Sequence, residues 1–505
     1  FSFTRASSAT VVNKAGLIET VQSGIPRIDF LGNTNGALLL EPQRTNLITQ
    51  SEAFGNSYWT KSGATIQGDP STAGSELLTN GSFTGSATGW TLGAGWSYGT
   101  NNLTVSSSTA NLSQSGIVLV NKLYLVSYEI SGYVSGSVNS NVGGIVTGRL
   151  GNSNEIVSEY IYTSSVVNDI FYITANSFTG SIDNVSVKEV QGFTSPSADS
   201  PLNAFKLVEG TNNGQHQIFP SSSSGTDVVR TISFFVKMDG VSKIGIRNND
   251  GKYITYDIIN NTTLDKTITN DFVSSDFNNG WKKLSISWDS TTVVTGARIF
   301  LLNDAYTTGN PLTYSYTGDG TSGLYIYGAQ VEESSYPTSY IPTQGSTVTR
   351  VAETCSGAGN DQVINSTEGV LYAEISALDN DLTYRLLSLS DGTQSNVVKI
   401  EYNDLSNYIG FRVISNSVTV AQFQISGQNI TQTNKLAISY KLNDFRAFIN
   451  GVKVDSSISG VVPIGLSELA FDNGVGSSDF YGNTKDVRVY DTALTDGELA
   501  TLTSL

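Results

Sequence analysis

A single histidine, His216, and a single cysteine, Cys355, are the only side chains here suited to act as a neutral-pH base or a thiolate nucleophile. His216 sits in the polar run Asn212-Asn-Gly-Gln-His-Gln217, and nothing near it resembles a nucleophile elbow, so Ser–His–Asp hydrolysis would hang on that one ring. Zinc sites built from several His or Cys are ruled out by count. Carboxylates remain, since glycoside hydrolysis needs only two. The run 371–377 carries Glu374, but Ser376 and Leu378 follow where further acids would be needed to line a strand face. Sugar binding asks for less: an aromatic face against the apolar side of a pyranose, and planar polar groups for its hydroxyls. Both are plentiful. Trp59, Trp90 and Trp96 lie near the starts of domains, and Tyr253 and Tyr256 lie on a polar strand. Trp281 and Trp288 are seven apart, which in a strand puts them on opposite faces, so at least one belongs to a core.

At 505 residues the chain is too long for one core, and three or four domains are expected. Gly is abundant at 50 residues, charged residues are only 14 %, and aromatics reach 10 % with 24 Tyr. Small polar, β-branched and aromatic residues in short alternating runs, with helical periodicity nearly absent, indicate an all-β chain with many turns. Disorder would lack the aromatics. A net charge of −16 opposes phosphate backbones and anionic membranes, so neither nucleic acid nor membrane insertion is expected. One cysteine excludes an intrachain disulfide, and no apolar run is long enough to span a bilayer. No signal peptide opens the chain; it begins at Phe1 and its one methionine is Met238, which points to a processed chain or a fragment. No short Gly/Asp coil repeat argues for a β-helix.

Two strings are more specific. GLYIYGAQVEESSYPTSYIPTQGSTVTR, from Gly323 to Arg350, is an alternating strand followed by an extended exit anchored by Pro337 and Pro342. Gly36-Ala-Leu-Leu-Leu-Glu-Pro-Gln-Arg-Thr-Asn-Leu-Ile48 is followed by Ser51-Glu-Ala-Phe54 and Tyr58-Trp-Thr-Lys-Ser-Gly63. Together they closely resemble the junctions of bacteriophage tail-fibre and other virion appendage proteins, where they bracket a carbohydrate-binding-module-like domain that leads into a lectin-like one. The last 150 or so residues, with Phe445-Arg-Ala-Phe-Ile-Asn-Gly-Val-Lys-Val454 and Lys485-Asp-Val-Arg-Val-Tyr490, resemble the end of laminin-G/concanavalin-like lectin domains.

That resemblance organises the chain as several jelly-roll or concanavalin-like β-sandwiches in series, one inserted into another. Residues 1–50 form a small β segment, with Arg5–Val12 and Leu17–Val21 able to pair across Asn13–Gly16. The Tyr58 string would normally run on to Pro201-Leu-Asn-Ala-Phe-Lys-Leu-Val-Glu209, but roughly 120 residues intervene. Their ends, Glu76-Leu-Leu-Thr-Asn-Gly-Ser-Phe83 and Ser181-Ile-Asp-Asn-Val-Ser-Val-Lys-Glu189, resemble the first and last strands of a separate jelly roll. Residues 73–192 are therefore expected as an inserted module, 51–72 plus 193–345 as the interrupted domain within 51–345, and 346–505 as the lectin-like domain. In the last, 371–377 alternates like a half-buried strand, Asn450-Gly451 marks a type I′ turn, and Thr495 with Glu498 forms a capping box with Leu494 and Leu499 as staple.

The resemblance also implies a structural Ca2+ between first and last strands of the inserted roll, with Asp183 supplying a carboxylate and Glu76 and Asn80 as companions. The functional expectation is a virion tail fibre or spike that binds host cell-surface polysaccharide without cleaving it, contacts other virion proteins and assembles as a homo-oligomer, commonly a trimer. A purely structural fibre or decoration protein and a glycan depolymerase are the alternatives, with a bacterial adhesin behind them.

Overall fold

The computed structural model describes all residues except 70–71, 121, 147–148, 164–167, 221–227, 269–271 and 290–296. It is all-β, apart from the helix Asp496–Thr503 and short 3-10 turns.

Two six-stranded sheets face one another in the interrupted sandwich. One runs Phe272–Asp276, Lys282–Asp289, Val229–Asp239, Gly323–Glu332, Phe205–Glu209, Ala64–Gln67; the other runs Thr262–Lys266, Tyr253–Asp257, Lys243–Arg247, Arg298–Leu302, His216–Pro220, Trp59–Ser62. Trp59–Ser62 and Ala64–Gln67 are consecutive in sequence yet lie in opposite sheets. Gly63 makes the corner between them at φ +62, and a Cβ there would meet the Gln215 carbonyl oxygen at 2.0 Å, so only glycine fits. Ile232, Phe234, Val236, Ile286 and Trp288 pack from the first sheet against Ile244, Ile246, Ile254 and Ile299 of the second. Trp281 points the other way, into a satellite core with Phe235, Tyr327 and Tyr340. Both tryptophans of the odd-spaced pair are therefore buried, in different cores.

The chain leaves this sandwich after Ala64–Gln67 and returns at Phe205–Glu209. Between them stands a roll built on two 20-residue strands, Leu123–Val142 and Phe171–Val190, paired antiparallel along their lengths. Register shifts between Ser131 and Ser137 bend the pair, with Gly132 at φ 55 and Gly136 at φ 77. Its core of Phe83, Trp90, Trp96, Tyr128, Phe171 and Phe178 is separate from that of the outer sandwich. The roll begins and ends at one place: Gly74 N donates to Glu189 O at 2.9 Å and Leu77 N to Val187 O at 3.0 Å.

The third unit has a seven-stranded and a five-stranded sheet enclosing Leu371, Ile375, Leu389, Ile400, Phe411 and Phe445. Two of the seven strands come from the N-terminus: Ala37–Leu40 pairs with Gly482–Tyr490, and Arg27–Asp29 pairs outside it. Ser2–Thr4 pairs with Thr354–Ser356, and Arg44–Asn46 with Val348–Arg350. The first 46 residues thus add strands to distant partners, while the pairings Ala9–Val12 with Ile18–Val21 and Arg27–Asp29 with Ala37–Leu40 are local. Glu368–Ala377 is buried on both faces rather than half-buried, because Val370 and Tyr372 pack under Leu499 of the C-terminal helix. The capping box at Thr495 and Glu498 starts that helix, and the turn at Asn450 (φ 50) and Gly451 (φ 83) is left-handed at both residues.

Both specific strings meet at a buried ionic cluster. Glu353 accepts from Arg5 Nη1 at 2.6 Å and from Arg27 Nε at 2.8 Å, while Glu41 pairs with Arg27 at 2.8 Å and Arg350 at 2.9 Å. All five side chains are at most 2 % exposed. Ser339 N donates to Glu41 at 2.7 Å, which ties the proline-anchored exit to the same cluster. Burial alone would raise the Glu41 carboxyl, but Arg350 and Arg27 outweigh it and hold it down to about 2.

Candidate glycan groove

The five aromatics that sequence offers to a sugar have no free face. Trp59, Trp90, Trp96, Tyr253 and Tyr256 are all at most 8 % exposed. Trp59 packs on Phe54 and donates Nε1 to Gln50 O at 2.8 Å. Trp90 reaches Thr79 O at 3.1 Å, and Trp96 lies stacked near Phe178 while donating to Ala110 O at 2.8 Å. Tyr253 donates to Asp265 at 3.0 Å and Tyr256 to Asn261 at 3.1 Å. Each ring fills core volume and its polar atom finds a partner, the ordinary arrangement for a buried Trp or Tyr.

The residues suggested for calcium are also engaged. Glu76 accepts from Val187 N at 2.8 Å, Leu78 N at 3.1 Å and Ser186 Oγ at 2.6 Å, so it fastens the two ends of the roll together. Asn80, at φ 54, donates Nδ2 to Ser86 O and Thr88 O, closing a turn. Asp183 stands opposite Glu129 across the long strand pair, and burial followed by that like charge raises its carboxyl. Among the described residues, no group of three or more His, Cys, Asp or Glu side chains is arranged to hold a metal ion.

His216 is 1 % exposed, with Nδ1 against Gly63 O and Gly210 N and Nε2 at 3.1 Å from Tyr316 O. Cys355 is buried, and burial pushes its thiol up to about 11, away from thiolate chemistry. No helix among the described residues is long and apolar enough to cross a membrane.

The concave site lies instead at the seam between the roll and the outer sandwich, where a groove of about 820 Å³ opens to solvent. Gln50, Glu52 and Ala53 form one wall, Pro342–Gln344 and Pro201–Asn203 another, and the roll contributes Lys122, Tyr162 and Glu189–Gly192. Close glycine contacts fix the seam. A Cβ on Gly68 would meet Leu123 Cδ2 at 2.5 Å, and one on Gly55 would meet Tyr162 Cβ at 2.7 Å. Glu52 is held rigidly, accepting from Tyr327 OH at 2.8 Å, Tyr340 OH at 3.1 Å and Asn203 Nδ2 at 2.7 Å. Lys122 and Glu189 pair at 2.6 Å on the rim, both roughly 40 % exposed. The side-chain amides of Gln50, Gln191 and Gln344 make no hydrogen bond to other described residues, which leaves planar donors and acceptors facing water. Half-buried Tyr162 and exposed Leu202 supply apolar surface beside them.

Unpaired amides, an exposed ion pair and a partly exposed ring are suited to a polyhydroxylated ligand. The groove draws on six separated stretches, so no local pattern marks it. The one signal in the sequence is the insertion itself, because a module joined through closely spaced ends creates a seam, and seams between domains are where clefts form.

No family model matches the chain, and no curated protein matches it. Solved structures give weak likenesses. The Ruminococcus gnavus IT-sialidase CBM40 bound to α2,3-sialyllactose is 16 % identical, covering 30 % of this chain and 94 % of its own, with a TM-score of 0.25. The CBM22-1-CBM22-2 tandem of Paenibacillus barcinonensis Xyn10C is 13 % identical over 53 % of this chain and 99 % of its own, at a TM-score of 0.20. Mouse laminin α1 domains LG4-5 are 11 % identical over 56 % of this chain and 90 % of their own, also at 0.20.

Proposed function

We propose that this chain binds surface glycans without cleaving them, as part of a bacteriophage virion appendage such as a tail fibre or spike. The observation that carries the binding half is the seam groove, with its unpaired amides and exposed Lys122–Glu189 pair beside Tyr162. The non-catalytic half is supported by the burial of His216 and Cys355, which leaves neither available for chemistry on a large substrate. The appendage reading is supported by the two strings bracketing the interrupted domain, which interlock through Glu41, Ser339 and Arg350 as a rigid joint between modules. Its partners are host cell-surface polysaccharide and other virion proteins, its location is the virion, and trimerisation comes from the resemblance.

The test is binding of labelled full-length chain to extracted bacterial surface polysaccharide and intact cells. Saturable binding that free oligosaccharide competes away is expected, with no release of reducing ends. A folded chain that binds no polysaccharide would leave a structural fibre, and release of reducing ends would make it a depolymerase. The calcium proposal keeps Asp183 with Glu76 and Asn80 as companions, although all three side chains already make hydrogen bonds. A chelator that lowers the melting temperature of the wild type but not of Asp183→Asn supports it; equal melting with and without chelator rejects it.

A further inference from the structure

The second sheet of the interrupted sandwich carries two arginines on its outer face that no carboxylate neutralises. Ile246 and Ile299 point into the core, so their chain neighbours Arg247 and Arg298 point away from it. The two arginines are direct partners across the strands Lys243–Arg247 and Arg298–Leu302. Like charges placed opposite one another destabilise a sheet. Apart from Arg44, which lies over Tyr336, every other arginine pairs with a carboxylate. Acidic residues outnumber basic ones 44 to 28, so a shortage of carboxylates does not explain the exception.

Both guanidinium groups are held in place yet reachable. Arg298 lies over the Phe219 ring, 4.1 Å from its centroid, and donates Nη1 to Gln217 Oε1 at 3.3 Å. Gln217 is fixed in turn by donating to Gln215 Oε1 at 2.9 Å. Arg247 donates Nη1 to Asn248 O at 2.9 Å. Both side chains are half-buried, with their Nε atoms turned toward protein. The two Nη2 atoms differ: neither makes a hydrogen bond to the described residues, and neither is shielded from solvent. Burial, and then the charge of Arg298, lower the Arg247 guanidinium, with no acid acting against them. An anion held by both Nη2 groups would offset the repulsion and give each a charge-assisted hydrogen bond.

We infer that Arg247 and Arg298 form a site for the carboxylate of an acidic sugar, a uronic acid residue of a surface polysaccharide. Each Nη2 donates to one carboxylate oxygen, and Phe219 and Asn248 keep the two guanidinium groups oriented. The net charge of −16 works against a densely charged polymer, which favours a ligand whose anions are spaced a sugar or more apart. The inference rests on the glycan-binding reading and adds a class of sugar to it. It shares no residue with the seam groove.

The test is isothermal titration of the full chain with trigalacturonate and with its methyl ester, which differs only in lacking the charges. The wild type is compared with Arg247→Gln, Arg298→Lys and the groove variant Gln191→Ala. Arg247→Gln removes a like-charge repulsion, so its melting temperature should not fall below that of the wild type, which checks that it folds. The wild type should bind the free acid roughly tenfold or more tightly than the ester, and more weakly as salt rises. Arg247→Gln should abolish that preference, Arg298→Lys should reduce it by removing the planar fork, and Gln191→Ala should keep it. Inorganic sulfate should compete far less well than the uronate; equal competition would overturn the assignment to a sugar. Acid and ester bound equally, or the preference surviving in Arg247→Gln, would overturn this site while leaving the groove intact. No binding of any sugar or polysaccharide by folded wild type would overturn both.

Discussion

Glu353 holds two guanidinium groups, Arg5 and Arg27, where no solvent reaches. Removing one member of such a cluster leaves charge that nothing compensates, at a cost of about 3–5 kcal/mol. Glu353→Gln is therefore expected to lower the urea midpoint of the unit carrying this joint, and an unchanged midpoint would show that the arginines find other partners. Glu41 adds a pH signature. Its folded carboxyl is held near 2 against an ordinary 4.5, so its contribution is present above about pH 4.5 and is lost as pH falls toward 2. Glu41→Gln should flatten that acid limb in a stability–pH titration. Trp96, stacked near Phe178 in the core of the roll, should cost about 3–5 kcal/mol when changed to Ala. The accompanying expectation is unchanged sugar affinity in whatever fraction remains folded.

At the scale of elements, the signals that were legible in the sequence are those written in consecutive residues. Asn450-Gly451 adopts the left-handed pair its composition asks for, and Thr495 with Glu498 caps the last helix. Thr495→Ala should cost about 1 kcal/mol in thermal melts. The strands Trp59–Ser62 and Ala64–Gln67 join sheets whose other members follow residue 204. What could not be read was which way each aromatic faces, because a ring that packs and a ring that binds have the same composition. Nor could the sequence show that Arg27–Asp29 and Ala37–Leu40 extend a sheet some 440 residues away, since pairing at that separation leaves no local trace. The consequence is testable by dissection. Residues 73–192, whose ends pair at Gly74 and Leu77, should fold alone with a cooperative melt. Residues 346–505 without the N-terminal strands expose the edge of Gly482–Tyr490 and should aggregate, and a monomeric, cooperatively melting 346–505 would contradict the shared sheet.

For the whole molecule, the buried joint and the proposed binding groove belong to one arrangement. The buried cluster fixes how the N-terminal strands, the proline-anchored exit and the C-terminal sandwich meet, while the groove lies at the seam between the roll and the outer sandwich. Under the proposed role, a weak sugar site repeated across assembled chains would gain affinity through effective concentration without new contacts. A net charge of −16 also discourages nonspecific attachment to anionic polymers. The most direct measurement is equilibrium binding of the folded full-length chain to a panel of bacterial surface polysaccharides, with Gln191→Ala/Asn203→Ala in the groove as the paired control. The account predicts saturable, oligosaccharide-competed binding by the wild type and at least tenfold weaker binding by the groove variant. Folded wild type that binds none of them, or a groove variant that binds equally well, would contradict it.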